Sequence, residues 1–179
     1  MTTYIALLRG INVSGHNKIK MAELKQLFLG MGFNDITTYI QSGNVIFKSS
    51  EENNSKIEQQ IITQVKQVFG LTIKVLVITK KQLKTVFKLN PFLKNNAIDI
   101  KALYVIFLKE NYFAEGINLI EPYKKNEEFK LVGNSVYLNY SNGAGNSKLT
   151  TNLFETKLKT TATARNWRTI TKLVELSNL

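Results

Sequence analysis

The chain has 179 residues, 44% hydrophobic and 21% charged, enough for one large domain or two small ones and unlike a disordered composition. It contains no cysteine, which excludes disulfides, zinc ribbons and thiol catalysis and fits a reducing compartment. The net charge of +11 is spread out, with a balanced stretch at residues 101–147, and suits either a polyanionic partner or a lysine-rich solvated surface.

Met1-Thr2-Thr3-Tyr4 lacks the charged and apolar pattern of a signal peptide. No apolar run approaches the roughly 18 residues of a membrane span, so a soluble, cytoplasmic protein is expected. Thr3 to Ile11 reads as a strand with the apolar run Tyr4-Ile5-Ala6-Leu7-Leu8. A loop from Asn12 to Lys20 follows, then a helix carrying Met21, Leu24, Leu27, Phe28 and Met31 on one face and ending at Gly30 and Gly32. Ile36–Ile40 and Val45–Phe47 read as short strands turned by Gln41-Ser42-Gly43-Asn44. Ser55 and Glu58 form a capping-box pattern for a helix with Ile57, Ile61, Val65 and Val68 inward and Gly70 as its stop. Ile73, Val75 and Val77 alternate in a fourth strand, and Thr79 with Gln82 repeats the capping box for a short helix ending before Asn90-Pro91.

This order is βαββαβ, the ferredoxin-like arrangement, and a boundary falls near Pro91–Asn96. The second half restarts with an apolar strand, Ala102–Leu108. A helix-like stretch at Tyr112–Ile120 follows, and then a hairpin from Phe129–Val132 through Gly133-Asn134 to Val136–Leu138. Helical patterns cover Thr151–Leu158 and Ala164–Leu176, giving βαββαα. The expected fold is therefore α+β: two tandem ferredoxin-like (α/β-plait) halves, residues 1–90 and 91–179, with helices packed on antiparallel sheets. Because Tyr4–Leu8 and Ala102–Leu108 are apolar at both parities, both faces of each strand should be covered.

The loop Gly10-Ile11-Asn12-Val13-Ser14-Gly15-His16-Asn17-Lys18 has P-loop glycine spacing, but His16-Asn17 stand where Lys and Ser/Thr are required. Gly143-Ala144-Gly145-Asn146-Ser147-Lys148 lacks the third glycine and the βαβ context of a dinucleotide fingerprint. What survives is generic: backbone N–H groups and a lysine that can attract an anion, or a plain surface turn. His16 is the sole histidine, and Glu51-Glu52 and Glu127-Glu128 read as exposed loop charges, so no metal site is expected. No G-x-S-x-G surrounds Ser14 or Ser42. The strand Gly43–Lys48 offers only Phe47 and lacks the aromatic pattern of an RNA-stacking sheet. Near the end, Trp167, Ile170 and Val174 form an apolar helical stripe with Trp167 as a core anchor. Arg165, Arg168 and Lys172 line the other side, which suits phosphates or solvent.

Together these stretches resemble the bacterial domain-of-unknown-function 1697 family. The resemblance rests on Tyr4–Val13, His16–Met21, Tyr39–Val45, Asn90-Pro91-Phe92, Gly143-x-Gly145-x-Ser147-Lys148-Leu149 and Thr163-Ala164-Arg165-Asn166-Trp167-x-Thr169. Ser14 stands where members usually carry Gly, and Tyr140-Ser141 where a Pro is often found. The resemblance implies tandem α/β-plait domains and supplies no activity or cofactor.

Arg9, Asn12, Lys18, Gln41, Asn44, Lys148, Arg165 and Asn166 are polar residues of these segments, at strand ends, turns and a helix start. They are expected either to converge on an anion-binding cleft between the halves or to brace loop backbones. One functional expectation is a non-catalytic binder of a nucleotide or nucleic acid, with Lys18, Lys20, Lys148, Arg165 and Arg168 on the phosphates. A second is an enzyme on a small anionic substrate, with Arg9, Lys148 and Arg165 stabilising charge and Lys18 or His16 moving a proton. A third is a protein-interaction module or homodimer.

Overall fold

A computed structural model of the chain describes residues 1–13, 15–95 and 97–178. Ser14, which carries the family departure in the first loop, and Asn96, at the edge of the expected boundary, lie outside the described residues. The chain divides into two compact units, Met1–Lys84 with Leu173–Leu179, and Thr85–Lys172.

The first unit contains β1 (Thr2–Arg9), α1 (Met21–Gly30), β2 (Asn34–Tyr39), β3 (Asn44–Ser49), α2 (Asn54–Phe69) and β4 (Lys74–Thr79). Its antiparallel sheet has the order β2-β3-β1-β4. Strands β1 and β2, joined by α1, therefore run in the same direction with β3 between them. Tyr4, Ala6 and Leu8 of β1 face a core with Phe28 of α1, Phe47 of β3 and Ile57, Ile61 and Val65 of α2. Tyr4 lies opposite Phe47, with the rings stacked at 5.8 Å. Ile5 and Leu7, of the other parity, are buried as well, as the unbroken apolar run requires.

Three local expectations for α2 and its surroundings are corrected. Asn53, not Ser55, caps α2, its side chain accepting from the Lys56 N–H. Glu58 instead turns inward, buried, and its Oε1 accepts the Val77 N–H at 3.0 Å. Val68, expected inward, is 58% exposed, and the buried face of the helix ends at Val65. Gly70 ends α2 in the left-handed region at φ 69°, a conformation glycine adopts without a Cβ clash. At the end of β4, Thr79 and Gln82 form the expected capping box: Gln82 N–H donates to Thr79 Oγ1 and Thr79 N–H to Gln82 Oε1. It opens α3 (Lys80–Lys88).

The second unit has β5 (Leu103–Leu108), β6 (Glu128–Val132), β7 (Ser135–Asn139), α4 (Thr151–Leu158) and β8 (Ala162–Asn166); α5 (Trp167–Leu176) follows and passes from the second unit to the first at Leu173. Its antiparallel sheet has the order β6-β7-β5-β8, which repeats the first with β5 in the place of β1. The repeat extends to detail, since Leu8 N–H donates to Gly43 O at 2.8 Å and Leu108 N–H to Asn134 O at 2.9 Å. Trp167 is buried and its ring stacks on Phe87 at 5.2 Å, as expected of a core anchor.

Two elements depart from expectation. The stretch Tyr112–Ile120 is not an α-helix; 3-10 turns occupy Ala114–Leu119 and Glu121–Tyr123. A Cβ on Gly116 would lie 2.1 Å from the Lys157 carbonyl, so this segment presses directly on α4 backbone. The helical pattern Ala164–Leu176 is really two elements, β8 and then α5. Pairing with β5 from Leu108↔Ala162 to Tyr104↔Asn166 overrides the helix propensity of the alanines. The helix begins only where the Asn166 side chain accepts the Thr169 N–H. Arg165 is thus a strand residue, not part of a basic helix face, and Leu173 rather than Val174 completes the buried stripe with Trp167 and Ile170.

Candidate functional site

Six of the expected site residues, Arg9, Asn12, Lys18, Lys20, Gln41 and Asn44, fall in the first unit and share one end of its sheet. Leu7 pairs with Asn44 and Arg9 with Lys74, so β1 ends where β3 and β4 begin. Tyr39, the last residue of β2, lies opposite Asn44. The loop from Gly10 to Lys20 leaves from this end.

Asn12 locks the loop in place. Its Oδ1 accepts the Ile19 N–H at 2.8 Å, and its Nδ2 donates to Ile19 O and Gln41 O, both at 2.9 Å. The side-chain amide thereby acts as an extra peptide group, closing the loop on itself and tying it to the turn at residues 40–43. An amide has two N–H donors, and both are bound to backbone, so Asn12 offers no donor to an anion. Asn44 is similar: buried, with Nδ2 donating to Tyr39 O and Ser42 Oγ. Asn17 adds a bond to Gly10 O at 2.8 Å. Beneath them Gly43 is buried at φ 79°, and a Cβ there would lie 2.8 Å from Leu8 Cβ and 2.9 Å from Ile11 Cδ1. Only glycine fits.

Around this lock the cations point outward. Lys18 and Lys20 are exposed, and Lys20 Nζ lies 3.4 Å from Glu23. Arg9 is half-buried across from Lys74, placing two positive side chains side by side on the strand end. Gln41 is exposed and enters the lock through its carbonyl. His16 is exposed, its backbone N–H donating to Val13 O.

Lys148, Arg165 and Asn166 belong to the second unit. Lys148 is exposed on the second glycine loop. That loop is held by the Tyr140 hydroxyl, which donates to Leu149 O at 2.6 Å, and by Ser147, whose Oγ accepts the Leu149 N–H at 3.0 Å. Glu127, expected to be an exposed charge, is buried. Hydrogen bonds from the Ser147 side chain and the Lys125 N–H hold its carboxyl below the usual range, so it serves as an anchor for the loop. Burial pushes the Tyr140 hydroxyl up, keeping it a neutral donor. Arg165 is only 8% exposed, with Nη1 donating to Thr163 Oγ1 at 3.0 Å and Ala164 O at 2.7 Å. Burial lowers its guanidinium to about 10, which leaves it charged at neutral pH. Asn166 caps α5. Among the described residues no group of His, Asp or Glu could hold a metal ion, and no helix is long and apolar enough to cross a membrane.

One residue of the first site was invisible in the sequence. Among the described residues, the non-glycine residues at positive φ are Asn12, Asn17, Asp35, Ile40, Asn111 and Lys159. Asn and Asp tolerate this region, and Lys159 closes α4. Ile40, at φ 49°, is β-branched and strained by roughly 1–3 kcal/mol. It is also 47% exposed. A run such as Tyr39-Ile40-Gln41 signals an extended strand, so nothing in the residue types reveals the left-handed turn.

The architecture defines an α+β protein of two units, each a four-stranded antiparallel sheet with helices, and basic and amide groups gather at one sheet end of the first. The family model described as "Protein of unknown function (DUF1697)" matches residues 1–137, and the chain belongs to that family. A solved structure described as that of conserved bacterial protein SP0830 from Streptococcus pneumoniae is similar over 98% of this chain and 98% of that chain. Its TM-score is 0.78 and its sequence identity 22%, a likeness of fold. No curated protein matches the chain.

Proposed function

We propose that the chain binds a phosphate-bearing ligand, a nucleotide or nucleic acid, without transforming it, at the loop end of the first unit. What carries the reading is the division of labour there. Asn12, Asn44 and Gly43 hold two loop segments together through backbone contacts, while Arg9, Lys18, Lys20 and Lys74 gather positive charge around them. Left-handed residues at Gly10, Asn12, Gly15 and Asn17 favour backbone concavities that can hold anions. Lys148, exposed on the second glycine loop, is the second unit's candidate for the same chemistry.

The test is a titration of single-stranded DNA and of ATP at increasing salt. Affinity for the strand is expected to fall linearly on logarithmic axes. Each of Lys18→Ala and Lys20→Ala is expected to flatten the slope by about 0.7. Absent binding to both probes, or binding indifferent to salt, would overturn the proposal.

A further inference from the structure

The strain at Ile40 has no counterpart in packing, because the side chain that suffers it stays half in solvent. Backbone strain persists where the surroundings enforce it, and the Asn44–Tyr39 and Asn12–Gln41 hydrogen bonds on either side of Ile40 do so. Their effect is to present a branched aliphatic side chain outward at the loop end. Val13, 55% exposed, stands one residue from Asn12 just as Ile40 stands one residue from Gln41. Two exposed aliphatic residues are thus next in the chain to the partners of the Asn12–Gln41 bond, at the same sheet end as Arg9, Lys18 and Lys74.

Apolar groups beside cations suit a ligand with a flat, apolar part joined to an anionic one. From this we infer that the first unit takes a free nucleotide, with its base against Ile40 and Val13 and its phosphates toward the lysines. The inference rests on the proposed anion binding and adds what that leaves open, the recognition of a base. Two short side chains offer contact for one base only, which favours a mononucleotide over a strand, whose successive bases need successive contacts, or a duplex, whose bases are stacked inside.

The experiment compares ATP, inorganic tripolyphosphate, a single-stranded oligonucleotide and a duplex on the full chain. ATP is expected to bind about tenfold more tightly than tripolyphosphate, the size of effect that partly burying two aliphatic side chains supplies. Ile40→Gly should bring that ratio toward one while raising the Tm by about 2–4 °C, since glycine relieves the left-handed strain. Val13→Ser should lower the ratio without the stabilisation. Equal binding of ATP and tripolyphosphate overturns base recognition but leaves anion binding standing, whereas failure of all four probes removes the anion binding itself. Tighter binding of the single strand than of ATP overturns the assignment to a free nucleotide. An Ile40→Gly chain with lowered Tm and an unchanged ratio shows that the strain serves folding, and the inference falls.

Discussion

Asn12 has two amide N–H groups, and both are bound to carbonyls of the first unit. In the sequence it is a polar loop residue between glycines, equally suited to a ligand or to the backbone, because the residue type carries both capacities. Only the positions of Ile19 and Gln41 decide between them. Asn12→Ala removes three hydrogen bonds, one of them to the N–H of the buried Ile19. It is expected to destabilise the chain by about 1–3 kcal/mol in denaturant titrations. Unchanged stability would mean that water replaces the lock without cost. Arg165 carries a related lesson: its charge was legible, but its burial followed from a strand pairing that alanine-rich neighbours disguised.

Sheet edges are exposed to unwanted pairing, and the two units protect the corresponding strands in the same way. In the first, Asn54 and Glu58 stand one helical turn apart on α2. Asn54 Nδ2 donates to Val77 O at 3.0 Å and Glu58 accepts the Val77 N–H, occupying the backbone groups that edge strand β4 turns away from β1. In the second, Glu155 of α4 accepts the Ala162 N–H of β8 at 2.9 Å. Glu58→Ala leaves a buried N–H without its acceptor and is expected to cost about 1–3 kcal/mol. Hydrogen exchange at Val77 should accelerate beyond that of its β4 neighbours; uniform exchange along the strand would place the effect elsewhere. The sequence suggested a helix cap for Glu58 because Ser55 precedes it by three residues, and a capping box and an inward carboxylate share that spacing.

At the scale of the molecule, the division into units does not follow the chain from end to end, since Leu173–Leu179 group with Met1–Lys84. Leu173 is fully buried. Leu173→Ala should therefore destabilise by about 2–5 kcal/mol in thermal or denaturant unfolding, although it lies near the chain's end; a change within a few tenths would contradict its place in the core. By itself the sequence determined the α+β class, the two-part repeat, the apolar strands and the glycine-bearing loops. These are set by periodicity and turn chemistry, which act between near neighbours. Tertiary structure alone decided that Ala162–Asn166 is a strand, that Glu58 and Glu127 turn inward, and that Ile40 is left-handed. Each of those outcomes depends on a hydrogen-bonding or packing partner far away along the chain, and residue type at one position does not encode where such a partner will be.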